Sequence, residues 1–317
     1  MIEIRQSLRI HAGVLVALVA ALFLVGCSPS DTGDAALDLD RPLKLAYLPG
    51  EEDPEGRMRA HAELATFLSE RIGREIELIQ AVSYAPTIEA LRAGKIDIMR
   101  SGGSFTYLIA HEKAGAEAIV RVGNSEGPGL YRSSLVAWPG SGIESLDDLH
   151  ARASEIDFAF VDPASTSGHL IPRAHLESMG LNPDEDFART IFTMSHTNSA
   201  MTITSGKVHA GAISHNSYTR LIERGVIEPD DMTVLWESDP IPTGPVVVRK
   251  DMPEDLKLAL QDAYLALDDE DSALYRALQE VYSTEDLRFY PAEDADWNGL
   301  REIARGVASF DMLPTSR

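Results

Sequence analysis

The sequence predicts an α/β fold, because short apolar strands alternate with amphipathic helices from Leu43 onward. The first strand is predicted at 43–47, and a helix at about 57–72 has its apolar residues on one side and Gly73 as its stop. A strand at 76–81, a short helix at 84–93 and a strand at 96–99 repeat the rhythm. Such alternation is typical of mainly parallel sheets.

The remaining elements predict two lobes with a cleft between them. Further strands are predicted at 135–138, 158–161, 208–213, 232–236 and 245–248, and helices at 254–267, 272–281 and 292–308. We expect the chain to cross between the lobes near 134–138 and near 245–249, and the last helices to pack back on the first lobe. The predicted lobe 1 is therefore 42–136 plus 246–317, and the predicted lobe 2 is 137–245.

The N-terminus predicts a lipid anchor. Arg5 and Arg9 precede an apolar run at 12–25, which is too short for a comfortable membrane span and leads through Gly26 to the single cysteine, Cys27. We predict a lipoprotein signal peptide at 1–26, lipidation of Cys27, and a flexible tether at 27–41. The alternatives are a plain signal anchor or a buried structural thiol. The prediction places the protein outside the cytoplasm, in the periplasm or at the cell surface.

The formal net charge of -22 limits the partners. Nucleic acid or an anionic membrane surface would need a basic face, so we expect neither, and the lipid anchor is the only expected membrane contact. A recessed site can still hold an anion, because exposed charges are screened over about 8 Å at physiological salt.

Clustered hydroxyls suggest where such an anion would bind. Ser165, Thr166 and Ser167 follow the strand that ends at Val161 and precede a helical pattern. Hydroxyls and unpaired backbone N–H groups at the positive end of a helix dipole make an anion pocket without a formal cation. The alternative is an ordinary Ser/Thr cap of a helix.

With its other motifs, this segment resembles the periplasmic phosphate, phosphite and phosphonate binding proteins of ABC importers. The resemblance extends from Leu43 to about Lys250. The motifs that carry it are Tyr84-Ala85-Pro86, Gly94-Lys95-Ile96-Asp97-Ile98, Pro163-Ala164-Ser165-Thr166-Ser167-Gly168, Ser195-His196-Thr197-Asn198-Ser199-Ala200, and Pro240-Ile241-Pro242 before Pro245-Val246-Val247-Val248-Arg249-Lys250. It implies the type II periplasmic-binding-protein fold, in which two α/β lobes are joined by two crossover strands around a ligand cleft.

The resemblance also implies roles for single residues. Ser165, Thr166 and Ser167 would hold the phosphonyl oxygens, and His196 would donate to one of them, although a histidine there can equally be a cap or a surface residue. Tyr84 and Tyr131 would line the ligand, or else serve as core aromatics. No metal, cofactor or catalytic residue is implied.

The sequence departs from the family in ways that bear on the ligand. Asn216 and Gly244 stand where relatives that bind aminoalkylphosphonates have carboxylates for the ligand ammonium, which disfavours such ligands; Glu237 and Asp239 are nearby substitutes. Arg100 replaces a frequent aromatic. It could bind the anion with two hydrogen bonds or form a salt bridge with one of the many carboxylates.

The expected function is capture of phosphite, phosphate or a small phosphonate by a monomer that serves an ABC permease and ATPase. One alternative is a binding subunit of a sensory system, or of a system for a different small anion. A secreted Ser/His hydrolase is the enzyme alternative. It is disfavoured because the sequence has no Gly-x-Ser-x-Gly elbow, His-Glu-x-x-His helix, Walker loop or Gly-x-Gly-x-x-Gly motif.

Overall fold

The computed structural model describes residue 37 and residues 40–48, 54–81, 83–100, 102–267, 272–282 and 284–307. The predicted signal peptide, Cys27 and nearly all of the predicted tether lie outside the described residues. Within the described ranges, none of the helices combines the length and apolarity that crossing a bilayer requires.

The described elements alternate between strands and helices along most of the chain. The strands are β1 Leu43–Tyr47, β2 Ile76–Gln80, β3 Ile98–Arg100, β4 Glu117–Asn124, β5 Gly127–Pro128, β6 Leu130–Tyr131, β7 Ser133–Ala137, β8 Asp157–Phe160, β9 Arg189–Phe192, β10 Ala210–Ser214, β11 Thr233–Glu237, β12 Ile241–Pro242, β13 Pro245–Val248 and β14 Arg288–Pro291. The α-helices are α1 Pro54–Ile72, α2 Tyr84–Arg92, α3 Ser104–Ala114, α4 Leu146–Ala151, α5 Ile171–Ser178, α6 His196–Thr204, α7 His215–Glu223, α8 Glu254–Leu265, α9 Ala273–Tyr282 and α10 Asn298–Gly306.

Two sheets organise these elements into two lobes. The first has the order β14-β4-β13-β3-β1-β2, with β5 beside β4, and the second has the order β11-β7-β10-β8-β9. In β7, β10 and β13 every residue is buried, because helices cover both faces of each sheet. The predicted type II periplasmic-binding fold is confirmed.

The chain crosses between the sheets twice, and the two crossings pair with each other. Along the chain, β6 comes after β5 of the first sheet and before β7 of the second. Likewise, β12 comes after β11 of the second sheet and before β13 of the first. In this short antiparallel ribbon Tyr131 is opposite Ile241. The exact lobe limits stay a prediction, but the pairing of β7 with β10 favours a first boundary before Ser133 rather than after residue 136.

The predicted mainly parallel pairing is wrong, because among the described strands four of the six pairs in the first sheet and two of the four in the second are antiparallel. β1, β2 and β3 are parallel, as are β8, β9 and β10, whereas β13 is antiparallel to β3 and β4, and β7 is antiparallel to β10 and β11. The antiparallel strands β7 and β13 directly follow the two crossings. Each enters its sheet beside strands that βαβ units have made parallel to one another, and runs in the opposite direction. The sequence analysis also missed the strands β4, β9 and β14, the two-residue strands β5, β6 and β12, and the helices α3 and α7.

The C-terminal helices α8 and α9 pack on the apolar core of the first lobe. α8 and α9 bury Leu260, Tyr264 and Leu278 with β1 and α1 in one apolar core, as predicted. The last helix begins at Asn298 rather than at 292, after a 3-10 turn at Asp294–Trp297. Trp297 joins Phe105 of α3 and Leu170 of the hydroxyl segment in a second core, which therefore connects that segment to the first lobe.

Candidate functional site

A cavity of about 170 Å³ lies between the two lobes. Strand ends and helix starts of both sheets contribute to its wall. All eight residues that the sequence singled out as ligand contacts line it, namely Tyr84, Arg100, Tyr131, Ser165, Thr166, Ser167, His196 and Asn216. Their contact with a ligand stays a prediction, but the structure brings them to one place.

The hydroxyl cluster sits on a π-helical turn, Thr166–Leu170, that continues into α5. The N–H of Leu170 donates to the carbonyl of Ser165 at 3.0 Å, five residues back. The carbonyl of Gly168 accepts from the N–H of Val161 at 2.9 Å, which is possible because Pro172, four residues on, has no N–H to offer it. Such widened turns occur frequently at functional sites.

The three hydroxyls are buried but border the cavity. Ser165 Oγ accepts from the N–H of Gly168 at 3.1 Å, so the ordinary cap is present as well. Thr166 Oγ1 accepts from the N–H of Phe105, at the start of α3, at 2.8 Å. The carbonyl of Ser167 accepts from Ser133 Oγ at 2.6 Å. The turn is therefore fixed by hydrogen bonds from both lobes.

A polar network of two buried side chains, Arg173 and His169, and the half-exposed Asp184 supports this turn from behind. Arg173 donates through both terminal nitrogens to Asp184, at 2.9 and 2.8 Å, and through Nε to His169 Nε2 at 3.1 Å. His169 Nδ1–H in turn donates to the carbonyl of Pro163 at 3.0 Å. Burial lowers the pKa of His169 to about 4, so the ring is neutral at neutral pH. The Arg173 hydrogen bonds outweigh burial and hold the pKa of Asp184 below its usual range.

The second-lobe histidine presents a defined donor. His196 is the first residue of α6, which Ser195 caps by accepting from the N–H of Asn198 at 3.1 Å. Its Nδ1 accepts from the N–H of Ser214 at 3.0 Å, so the proton of the neutral ring is on Nε2. An Nε2–H on a cavity-lining ring can donate to an anion, which is the role that the family resemblance implied for His196.

The two tyrosines border the cavity from different elements. Tyr131, on the crossover ribbon, lies near the hydroxyls of Thr166 and Ser167; burial raises its pKa more than these hydroxyls lower it, and the phenol stays neutral. Tyr84 is the first residue of α2, where Gly102 approaches closely, and a Cβ on that glycine would lie 3.2 Å from Tyr84 Cε1. Gly102 has a φ of +70°, a conformation that favours glycine.

Arg100 ends β3 and stacks rather than pairs. Its guanidinium carbon lies 4.4 Å from the centroid of the Tyr282 ring. No carboxylate of the described residues is within salt-bridge distance of it, so the alternative of an ion pair is not supported there. Arg100 lines the cavity as a cation.

Sequence reasoning missed two further arginines of the cavity wall, Arg57 of α1 and Arg220 of α7. No local motif marks them, because they meet only when the two lobes are assembled. Ser214 and Ser217 were also missed, although their strand-end and helix-start setting resembles that of Ser165. The described lining thus contains three arginines and no aspartate or glutamate, in a chain with 50 acidic residues.

Two lobes, two paired crossings and a polar cavity between them define a periplasmic binding protein of type II architecture. Residues 45–297 match the family described as "ABC transporter, phosphonate, periplasmic substrate-binding protein", and the chain belongs to this family. The family consists of extracytoplasmic transport proteins rather than enzymes, so the hydrolase alternative is excluded.

Known relatives agree with this assignment. The chain is 27% identical over 315 residues to the phosphate-import protein PhnD of Mycolicibacterium smegmatis, covering 92% of this chain and 95% of the relative. It is 26% identical over 198 residues to the phosphonates-binding periplasmic protein of Escherichia coli, covering 62% of this chain and 58% of that relative's length.

Two solved structures show the same fold. The binding-protein component of an ABC phosphonate transporter from Pseudomonas aeruginosa has a TM-score of 0.72 and 24% identity, with 83% of this chain and 86% of that chain covered. PhnD1 of Prochlorococcus marinus, in complex with methylphosphonate, has a TM-score of 0.73 and 19% identity, with 84% and 98% covered.

Proposed function

We propose that the protein captures phosphite, phosphate or a small phosphonate in the interlobe cavity and presents it to the permease and ATPase of an ABC importer. The observation that supports this most is the composition of the described cavity wall, which carries hydroxyls, His196 and three arginines but no carboxylate. An anion gains from every charged group of this wall, whereas an ammonium would find no counter-ion among them. The names of the two curated relatives, one for phosphate and one for phosphonates, point to the same chemical class.

The available donors are sufficient for useful affinity. A hydrogen bond to a charged group contributes about 1.5–3 kcal/mol, and micromolar binding needs about 8 kcal/mol, so four or five aligned donors can reach it after the costs of ordering. The sequence led us to expect neutral donors, with Arg100 as the one candidate cation. With Arg57, Arg100 and Arg220 in the wall, the proposal becomes a mixed site in which hydroxyls orient the anion and arginines supply long-range attraction.

Calorimetric titration tests the ligand class. Protein stripped of co-purified ligand should bind at least one of phosphite, phosphate and methylphosphonate with a Kd of about 1 µM or below, as four or five charged hydrogen bonds allow. It should bind 2-aminoethylphosphonate most weakly, because no described carboxylate lines the cavity. Tight binding of 2-aminoethylphosphonate alone, or of none of the four, would contradict the proposal.

Replacing Ser165 with alanine should weaken binding of the preferred ligand by about 1.5–3 kcal/mol, since the change removes a donor to the anion. Because Ser165 also caps its turn, the change should lower stability by about 1 kcal/mol as well. Ser145→Ala is a matched control: Ser145 caps α4 by the same bond, to the N–H of Asp148 at 3.1 Å, and lies outside the cavity wall. Titration and thermal melting should therefore show a loss of affinity for Ser165→Ala only. Equal affinities for the two variants would remove Ser165 from the site.

We also propose that Cys27 carries a lipid that anchors the mature protein. The support is in the sequence, where the apolar run and small residues lead to the chain's single cysteine. Expression of Cys27→Ser should shift the protein from the membrane fraction to the soluble fraction, and should abolish labelling by a radioactive or clickable fatty acid. The Cys27→Ser protein should bind its ligand as wild type does. Persistent labelling of the variant would refute the anchor.

A further inference from the structure

The cavity wall offers more hydrogen-bond donors than a single phosphonyl group requires. The hydroxyls of Ser165, Thr166 and Ser167, with His196 Nε2–H, already provide four donors on the second-lobe side. Four donors are about what one phosphonyl group needs for micromolar affinity. Arg100, by contrast, belongs to β3 of the first sheet. It is a further strong donor that the other lobe contributes to the same cavity.

The setting of Arg100 is that of an anion receptor. Its guanidinium lies over the face of Tyr282, and the Tyr282 ring is held in turn by an edge contact with Phe289, with ring centroids 5.8 Å apart. Stacking on an aromatic face leaves the N–H edges of a guanidinium for hydrogen bonds, and this fork matches a carboxylate or phosphoryl group. Within the described part of the chain, no carboxylate occupies that fork.

The volume of the cavity is also larger than that of a bare oxyanion. At about 170 Å³ it is comparable to the roughly 150 Å³ cavity that accepts a benzene-sized molecule. A tetrahedral oxyanion has only four or five non-hydrogen atoms, so the cavity has room for a short tail.

We propose that Arg100, stacked on Tyr282, forms a second anion subsite, and that the preferred ligand is a compact phosphonate or phosphate ester with a second acidic group on a short tail. The inference rests on the proposed function, since it assumes that the Ser165–Ser167 turn holds the phosphorus group. In this arrangement the tail carboxylate or second phosphoryl group reaches the first lobe. The ligand then bridges the lobes, and each charged end is matched by donors of one lobe.

A matched pair of ligands isolates the charge of the tail. Phosphonoacetate and its neutral amide, phosphonoacetamide, are nearly isosteric, and both can be titrated calorimetrically into the purified, ligand-stripped protein. Phosphonoacetate should bind at least about tenfold more tightly, the equivalent of one charge-assisted interaction. Arg100→Gln should bring this ratio to within about twofold, because its amide cannot form the charged fork.

Three further variants control the test. Arg92→Gln removes the same charge outside the cavity wall, from an exposed arginine paired with Glu89 at 2.8 Å, and should keep the wild-type ratio. Tyr282→Phe should also keep it, whereas Tyr282→Leu should reduce it because the platform under the guanidinium is lost. The Tyr282 pair keeps the test decisive if Arg100→Gln fails to fold.

The possible failures can be told apart. If wild type binds methylphosphonate but does not distinguish phosphonoacetate from its amide, the second subsite is refuted and the proposed function stands. If Arg100→Gln weakens both ligands equally, Arg100 contacts the phosphorus group itself, which also refutes the second subsite. If wild type binds none of these compounds, nor phosphate or phosphite, the proposed function itself fails.

Discussion

Replacing Gly168 with alanine is expected to destabilise the protein by about 3 kcal/mol, at the upper end for an overpacked core, and to reduce ligand binding below detection. A Cβ at this position would lie 2.4 Å from both Cβ and Cγ2 of Val161 and 2.9 Å from Ser165 Oγ. The main chain must therefore move away from the strand end. That movement displaces the same N–H and carbonyl groups that close the π-helical turn.

A second glycine provides the control for this experiment. Gly299, in α10, has no atom within 4 Å of an added Cβ. Gly299→Ala should be neutral or stabilising by up to about 1 kcal/mol, because alanine is the better helix former. Urea denaturation and titration with the preferred ligand measure both effects. A Gly168→Ala protein with wild-type stability and affinity would show that the turn is not packed as described.

The second large effect is expected for Arg173→Met, which should cost about 2–3 kcal/mol of unfolding free energy because it leaves a buried acceptor unpaired. The guanidinium is nearly inaccessible, and its loss removes two hydrogen bonds to Asp184 and one to His169. Methionine keeps most of the apolar contact but leaves buried His169 Nε2 without this donor. Because His169 holds the carbonyl of Pro163, we expect ligand affinity to fall as well.

An exposed arginine that also donates two hydrogen bonds to one aspartate is the control. Arg189 donates to Asp157 through Nε and a terminal nitrogen, at 3.2 and 2.9 Å, but its side chain is 56% exposed. Arg189→Met should therefore cost less than about 1 kcal/mol. Equal losses in the two variants, measured by urea denaturation, would mean that burial does not set the strength of the Arg173 network.

The pH dependence of stability gives a separate measure of this network. Folding lowers the pKa of His169 to about 4, so its contribution to stability is fully present above about pH 6.5 and is lost as the pH falls toward 4. The positive charge of Arg173 is one cause of that lowered pKa. In Arg173→Met the decline in stability between these two pH values should consequently be shallower than in wild type.

Elements with a strong local pattern were predictable from the sequence. β1 and β13 have the predicted bounds, and α1 was found because an apolar stripe and Gly73 mark its course and end. α3 was missed because seven of its eleven residues are buried and no polar face marks it as amphipathic. β4 was missed because Glu117, Arg121 and Gly123 interrupt its apolar run.

The site divides in the same way. The Ser165–Ser167 turn was recognisable because its hydroxyls stand at a helix start, whereas His196 was found through the family resemblance. Arg57 and Arg220 were not, because nothing within α1 or α7 indicates that the two helices face one cavity. The nature of the wall, cationic in a strongly acidic chain, therefore emerges only from the assembled lobes.

The hydrogen bond from Phe105 N–H to Thr166 Oγ1 has a mechanical consequence. Because Thr166 Oγ1 already accepts this hydrogen bond, the directions in which its own O–H can point are restricted. Phe105 of the first lobe thus orients a hydroxyl donor of the second lobe. If the two lobes separated, the Thr166 hydroxyl would rotate freely, and an oxyanion that entered the cleft would meet a donor without a fixed orientation. If Thr166 contacts the ligand as proposed, the ligand is held more strongly when the lobes are closed, and a permease that separates the lobes would weaken binding without contacting the ligand.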